Sequence, residues 1–132
     1  VAVTVFAPTE EGRPRWLRPG RYIYEPDGIL RVQTGRVSPR TYPSPTRRLR
    51  EVERERLWRL VVDTGFLDGV HLGEVASWEG LEPARDETIA LVSTSWGGHQ
   101  RLILTDLDTS SADAAAAAQL IDHLAELAWI RE

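Results

Sequence analysis

Three histidines, twenty carboxylates and five tryptophans are the side chains with which this 132-residue chain could bind or react. His71, His99 and His123 lie far apart in the sequence, so a zinc site would need them to converge from separate elements. Cysteine is absent, which removes thiolate nucleophiles, disulfides and cysteine-rich zinc or iron–sulfur centres. Lysine is absent too, which removes Schiff-base chemistry and the phosphate-cradling P-loop; all 16 basic residues are arginine. No serine stands in a Gly-x-Ser-x-Gly elbow, and with twenty acids a carboxylate pair cannot be argued from spacing. Asp106-Leu-Asp108-Thr-Ser110 opens like a calcium loop, but Ser111 occupies the glycine position and Ala117 the position of the bidentate glutamate. Helix capping by these acids explains the run better. No catalytic residue, metal or cofactor is expected. Whether the chain is an enzyme stays open, with a non-catalytic role favoured.

Tryptophan and arginine are the residue types most enriched where proteins grip one another. Trp96, His99 and Arg101 fall on one face of an expected strand pair, and Trp129 falls opposite the apolar stripe of the last helix; these four make a candidate partner-binding set. The competing reading is structural, since tryptophan commonly covers sheet ends with arginine stacked on it. Trp58, among apolar helix neighbours, is expected in the core, whereas Trp16 and Trp78 lie in loops. A second candidate site is a pocket beside the 68–86 loop, built from His71, Glu74 and Trp78.

The elements that would position these residues follow from periodicity and turn chemistry. With 42% hydrophobic and 27% charged residues, the chain has the balance of a single globular domain spanning 1–132. Val3 to Phe6 predicts a short strand. In Arg21–Thr34, the Pro26-Asp27-Gly28 loop pairs Tyr24 with Leu30 and Tyr22 with Val32, whereas a two-residue Asp-Gly turn would scatter the apolar set. Residues 35–48, with Pro39, Pro43 and Pro45, predict an irregular connection. Glu51 to Thr64 predicts a helix capped by Gly65. Glu87–Trp96 and His99–Thr105 flank Gly97-Gly98, a two-residue hairpin signature that sets Leu91 against Leu104 and Ser93 against Leu102. That alternation assigns Ile89, Leu91 and Leu104 to the core face and Val92, Thr94, Trp96, His99, Arg101 and Ile103 to a wetter one. Finally, Ser110 with Asp113 suggests a capping box, and Ala117, Leu120, Ile121, Leu124, Leu127 and Ala128 form one stripe of a helix. The expected fold is α+β: an antiparallel sheet of two hairpins plus a short N-terminal strand, with two helices packed on one face.

Charge is uneven. Residues 1–56 hold 12 arginines against 7 acids, and residues 57–132 hold 4 arginines against 13 acids. The two halves are expected to face each other within the fold. The net charge of −4 argues against nucleic-acid binding, and no apolar run approaches the roughly 20 residues of a membrane-spanning helix. A first residue other than methionine is compatible with export to the periplasm or medium after signal removal, and equally with a trimmed chain; compartment and oligomeric state stay open.

The run Tyr24-Glu-Pro-Asp-Gly-Ile-Leu-Arg-Val, then Arg47-Arg-Leu-Arg-Glu-Val and Leu57-Trp-Arg-Leu-Val-Val-Asp-Thr-Gly-Phe-Leu-Asp68, resembles uncharacterised small α+β domains of bacteria. It is similar as well to the emfourin type of proteinaceous inhibitor of thermolysin-like metallopeptidases. The resemblance implies a hairpin, a helix ending in a Gly-Phe-Leu corner, and then a second hairpin and helix. It covers residues 21–130 in outline and Leu57–Asp68 in detail. Arg50 departs from it, standing where a Ser/Thr–Pro helix start belongs, and no inhibitory residue transfers to a numbered position. The expected function is therefore a non-catalytic protein-interaction domain of the peptidase-inhibitor kind, with another protein as partner. The alternatives are a small-molecule-binding domain or hydrolase with a pocket near the 68–86 loop, and a structural module of a larger cell-envelope protein.

Overall fold

The computed structural model describes residues 1–69 and 71–131. Among these residues, seven strands and two α-helices form an α+β fold: β1 (Ala2–Phe6), β2 (Gly20–Tyr24), β3 (Ile29–Thr34), β4 (Pro45–Arg48), α1 (Glu51–Asp63), β5 (Glu74–Val75), β6 (Ile89–Trp96), β7 (His99–Asp106) and α2 (Ala112–Leu127). One antiparallel sheet runs in the order β4-β3-β2-β1-β6-β7-β5.

Both hairpins have the expected registers. Tyr22 pairs with Val32 and Tyr24 with Leu30, with Gly28 at φ 83° closing the loop through its N–H on the Glu25 carbonyl at 3.0 Å. In the second hairpin Leu91 pairs with Leu104, and Gly97 and Gly98 both take positive φ, as the tight turn demands. The two flanking strands are additions. β4 lies in the proline-rich connection and β5 in the long loop, each adding an edge to a neighbour already formed.

Where the structure departs from the sequence reading is in the faces of the second hairpin. The core joins Val3, Val5, Tyr22, Leu30, Val92 and Ile103 to Leu57 and Val61 of α1, Phe66, and Leu120, Ile121 and Leu124 of α2. The face expected to be wet is thus the one the helices cover. Ile89 and Leu91 point the other way and are buried as well, because the loops form a third layer. Trp78 and Leu81 from the 76–88 segment line one small hollow with Leu91 and Leu104. Further along that face, Arg21 bonds Thr4 Oγ1 (2.7 Å) and the Thr41 carbonyl (3.3 Å), and Arg31 lies 4.5 Å from the Tyr42 ring. Arg40 over the Trp78 ring, at 5.2 Å, ties the two loops together. A strand buried on both sides reads as an apolar run, so its alternation does not tell one face from the other.

The two halves of the charge distribution do meet, at the end of α2. That helix has no basic residue in its last turn. Arginines from elsewhere gather there: Arg47 of β4 donates to the carbonyl of Leu127, the last helical residue, while Arg15, in a 3-10 turn at Arg15–Leu17, and Arg18 donate to the Ile130 and Arg131 carbonyls just beyond it. Arg15 also pairs with Asp122. Cations are favourable at this end of a helix dipole. At the other end Ser111, rather than Ser110, is the cap, its Oγ accepting from the Ala114 N–H at 3.1 Å. The buried stripe of α2 falls on the expected residues, Ala117, Leu120, Ile121, Leu124 and Leu127.

Candidate functional site

α1 reaches from the tip of the first hairpin, where the Leu49 N–H bonds the Gly28 carbonyl at 2.9 Å, to β6, where Thr94 Oγ1 donates to the Phe66 carbonyl at 3.1 Å. The pairing of β1 with β6 ends at Ala2 and Ser93, while β6 and β7 stay paired as far as Trp96 and His99. The end of the second hairpin therefore extends past the strand beside it. Two hollows open there, and they share Leu67 and Thr94.

The first, of about 430 Å³, is mainly apolar: Leu57, Trp58, Val61 and Leu67 form one side, Ile23 and Tyr24 the other. Trp58 is thus not a core residue; it is 47% exposed and overhangs this hollow, because it sits on the flank of α1 one position beyond the buried Leu57. The second hollow, of about 420 Å³, is lined by Leu67, Asp68, Glu74 and Thr94 together with Trp96, His99 and Arg101. The structure therefore brings together three of the four expected partner-binding residues. They share a face because they sit at alternate or directly paired positions: Trp96 opposite His99, Thr94 opposite Arg101. Trp96 is 65% exposed, since the hairpin end passes beyond the helices that bury Val92 and Ile103 on the same face.

Arg101 is fixed in place. Its Nε donates to Glu74 Oε1 at 2.8 Å and its Nη2 to the Gly69 carbonyl. The hydrogen bond from Arg101 holds the Glu74 carboxyl below its usual range, and the Glu74 contact raises Arg101 in turn. Asp68, exposed on the rim, makes no hydrogen bond or ion pair to any described residue and feels Arg101 only at a distance.

Trp129 lies elsewhere. It is not on the helix but just past it, at φ 61°, the left-handed position that usually takes glycine. Its N–H bonds the Glu126 carbonyl and the next N–H, of Ile130, bonds the Ala125 carbonyl, which closes a Schellman turn. Its ring lies 4.6 Å from the Arg47 guanidinium, and no described contact ties it to the Trp96 hollow. The pocket expected from His71, Glu74 and Trp78 does not assemble either. His71 is wedged between α1 and α2, with Nδ1 2.7 Å from Asp113 Oδ1, Nε2 2.7 Å from the Gly65 carbonyl and its ring stacked on Phe66. Glu74 belongs to the Trp96 hollow, and Trp78 lies on the opposite face of the sheet. Leu67 and Asp68, which sequence reasoning assigned only to the helix corner, complete the hollow; their position past the Gly65 cap was the one signal that they turn back over the sheet.

Among the described residues no group of three or more His, Asp or Glu side chains is placed to hold a metal ion, and no helix is long and apolar enough to cross a membrane. No family model, curated protein or solved structure matches the chain.

Proposed function

We propose that the chain is a non-catalytic protein-interaction domain whose docking surface is the pair of hollows beneath the end of α1, with Trp96 as its anchor. The observation behind this reading is the exposure of two tryptophans, Trp58 and Trp96, on the rims of adjoining hollows. A large aromatic beside a concave, partly apolar surface is the usual make-up of a binding hot spot. The reactive groups nearby serve architecture: His71 bridges the two helices and Glu74 pins Arg101. The hairpin–helix layout that resembles emfourin-type inhibitors makes a thermolysin-like metallopeptidase the first partner to try.

The test compares wild type with Trp96→Ala for binding to purified partners, that peptidase first, alongside urea unfolding. Loss of an anchor is expected to weaken binding by about tenfold or more. The unfolding midpoint should hardly move, because most of the side chain is already in water. Equal affinity of the two proteins, or a variant destabilised by more than about 1 kcal/mol, removes Trp96 from the docking surface.

A further inference from the structure

The interaction reading leaves the chemistry of the partner open, and the charges of the Trp96 hollow narrow it. Four ionisable side chains line it: Asp68, Glu74, His99 and Arg101. Glu74 and Arg101 neutralise each other at 2.8 Å, and Arg101 is further immobilised by the Gly69 carbonyl. The unmatched charge is the Asp68 carboxylate, on the rim beside a tryptophan that is 65% exposed. An indole attracts a cation through its ring face, and an unpaired carboxylate attracts the same cation through its charge. Both preferences act on one space of about 420 Å³, ample for a side chain of the length of arginine or lysine. The adjoining hollow, reached past Leu67 and Thr94, offers an apolar floor.

We infer that the surface selects a protein segment in which a basic side chain stands next to aliphatic ones, the cation lying between Trp96 and Asp68 and an aliphatic neighbour entering the hollow under Trp58. This deepens the interaction reading and depends on it. A partner anchored through an acidic or purely apolar segment would leave Asp68 facing a like charge or a desolvated void, and is disfavoured.

Two capped pentapeptides, acetyl-Gly-Leu-Arg-Leu-Gly-amide and its counterpart with glutamate for arginine, separate the possibilities when titrated into isotope-labelled protein and followed by NMR. The arginine peptide is expected to shift the Trp96 indole, Leu67 and Gln100 signals and to bind about fivefold more tightly than the glutamate peptide at low salt. The preference should shrink at high salt and fall below about twofold in Asp68→Asn, an exposed substitution that leaves the fold intact. Equal binding of the two peptides, a preference that survives Asp68→Asn, or failure of both peptides to bind overturns the inference. The interaction reading itself survives any of these if a purified partner still depends on Trp96; if Trp96→Ala binds that partner like wild type, both fall.

Discussion

Replacing Arg47 with alanine is expected to be among the most damaging changes at the molecular surface. One guanidinium does three things: Nη2 meets Glu53 Oε1 at 2.6 Å, Nη1 donates to the Leu127 carbonyl at 3.0 Å, and the plane lies 4.6 Å from the Trp129 ring. It therefore links β4, the first turn of α1 and the end of α2. The ion pair is sheltered, with side chains 14% and 12% exposed. Removing one member of a buried pair costs about 3–5 kcal/mol when the other is stranded. Glu53 is not stranded, because the Arg50 N–H still donates to it at 2.8 Å, so about 1–2 kcal/mol is the reasonable share. An unpaired Leu127 carbonyl adds about 1 kcal/mol and the lost ring contact about 0.5 kcal/mol. The total is about 3 kcal/mol. At an unfolding entropy of about 2 cal/mol/K per residue this lowers Tm by roughly 10 °C. The assay is thermal unfolding by calorimetry at neutral pH, with Arg48→Ala as the control: Arg48 is exposed, and among the described residues its side chain bonds only the Asp27 carbonyl. If Arg47→Ala and Arg48→Ala melt within about 2 °C of each other, the three contacts do not act together as described.

Two further outcomes test the core and the sheet edge. Burial raises the Tyr22 hydroxyl to about 12 from an ordinary value of 10. The native state therefore favours the protonated phenol: this contribution is whole below pH 10 and is lost as pH rises through about 12. Tyr22→Phe should show a shallower loss of stability across that alkaline window in urea titrations, and an identical slope would place the hydroxyl in contact with water. Gly73 allows no side chain, since an added Cβ would fall 1.9 Å from the Leu104 carbonyl oxygen. Gly73→Ala is expected to cost about 2–3 kcal/mol. It should also speed amide exchange at Leu104, whose N–H bonds the Gly73 carbonyl at 2.8 Å; wild-type exchange there would mean that the β5 edge is not held as found.

What could be read from the residues, and what could not, divides along physical lines. Local signals were sufficient wherever a turn fixes the geometry. Pro26-Asp27-Gly28 and Gly97-Gly98 set both registers, because backbone conformation at glycine leaves little choice of partner. Gly65 likewise set the end of α1. The orientation of the second hairpin was not legible, because Ile89 to Val92 is apolar at every position and is buried on both sides, by helices on one and by the Trp78 loop on the other. β4 was hidden for a different reason: Pro45-Thr-Arg-Arg has no apolar alternation, and it pairs only because β3 offers it an edge. The grouping of Trp96, His99 and Arg101 was legible from strand pairing alone, yet the companions that make it a hollow, Leu67 and Asp68, come from a helix corner whose path over the sheet is a matter of tertiary packing.

The arginines that fasten the foot of the last helix impose an order on the making of the molecule. Arg15 and its contacts at Asp122 and Ile130 are 107 and 115 residues apart along the chain, and Arg18 waits 113 residues for Arg131. During synthesis the N-terminal strand pairings can form while these guanidinium groups still have nothing to hold. The latch can close only once the segment around Ile130 and Arg131 has been made, so a variant cut before residue 130 is expected to lose the clasp that Arg15 and Arg18 make across more than a hundred residues.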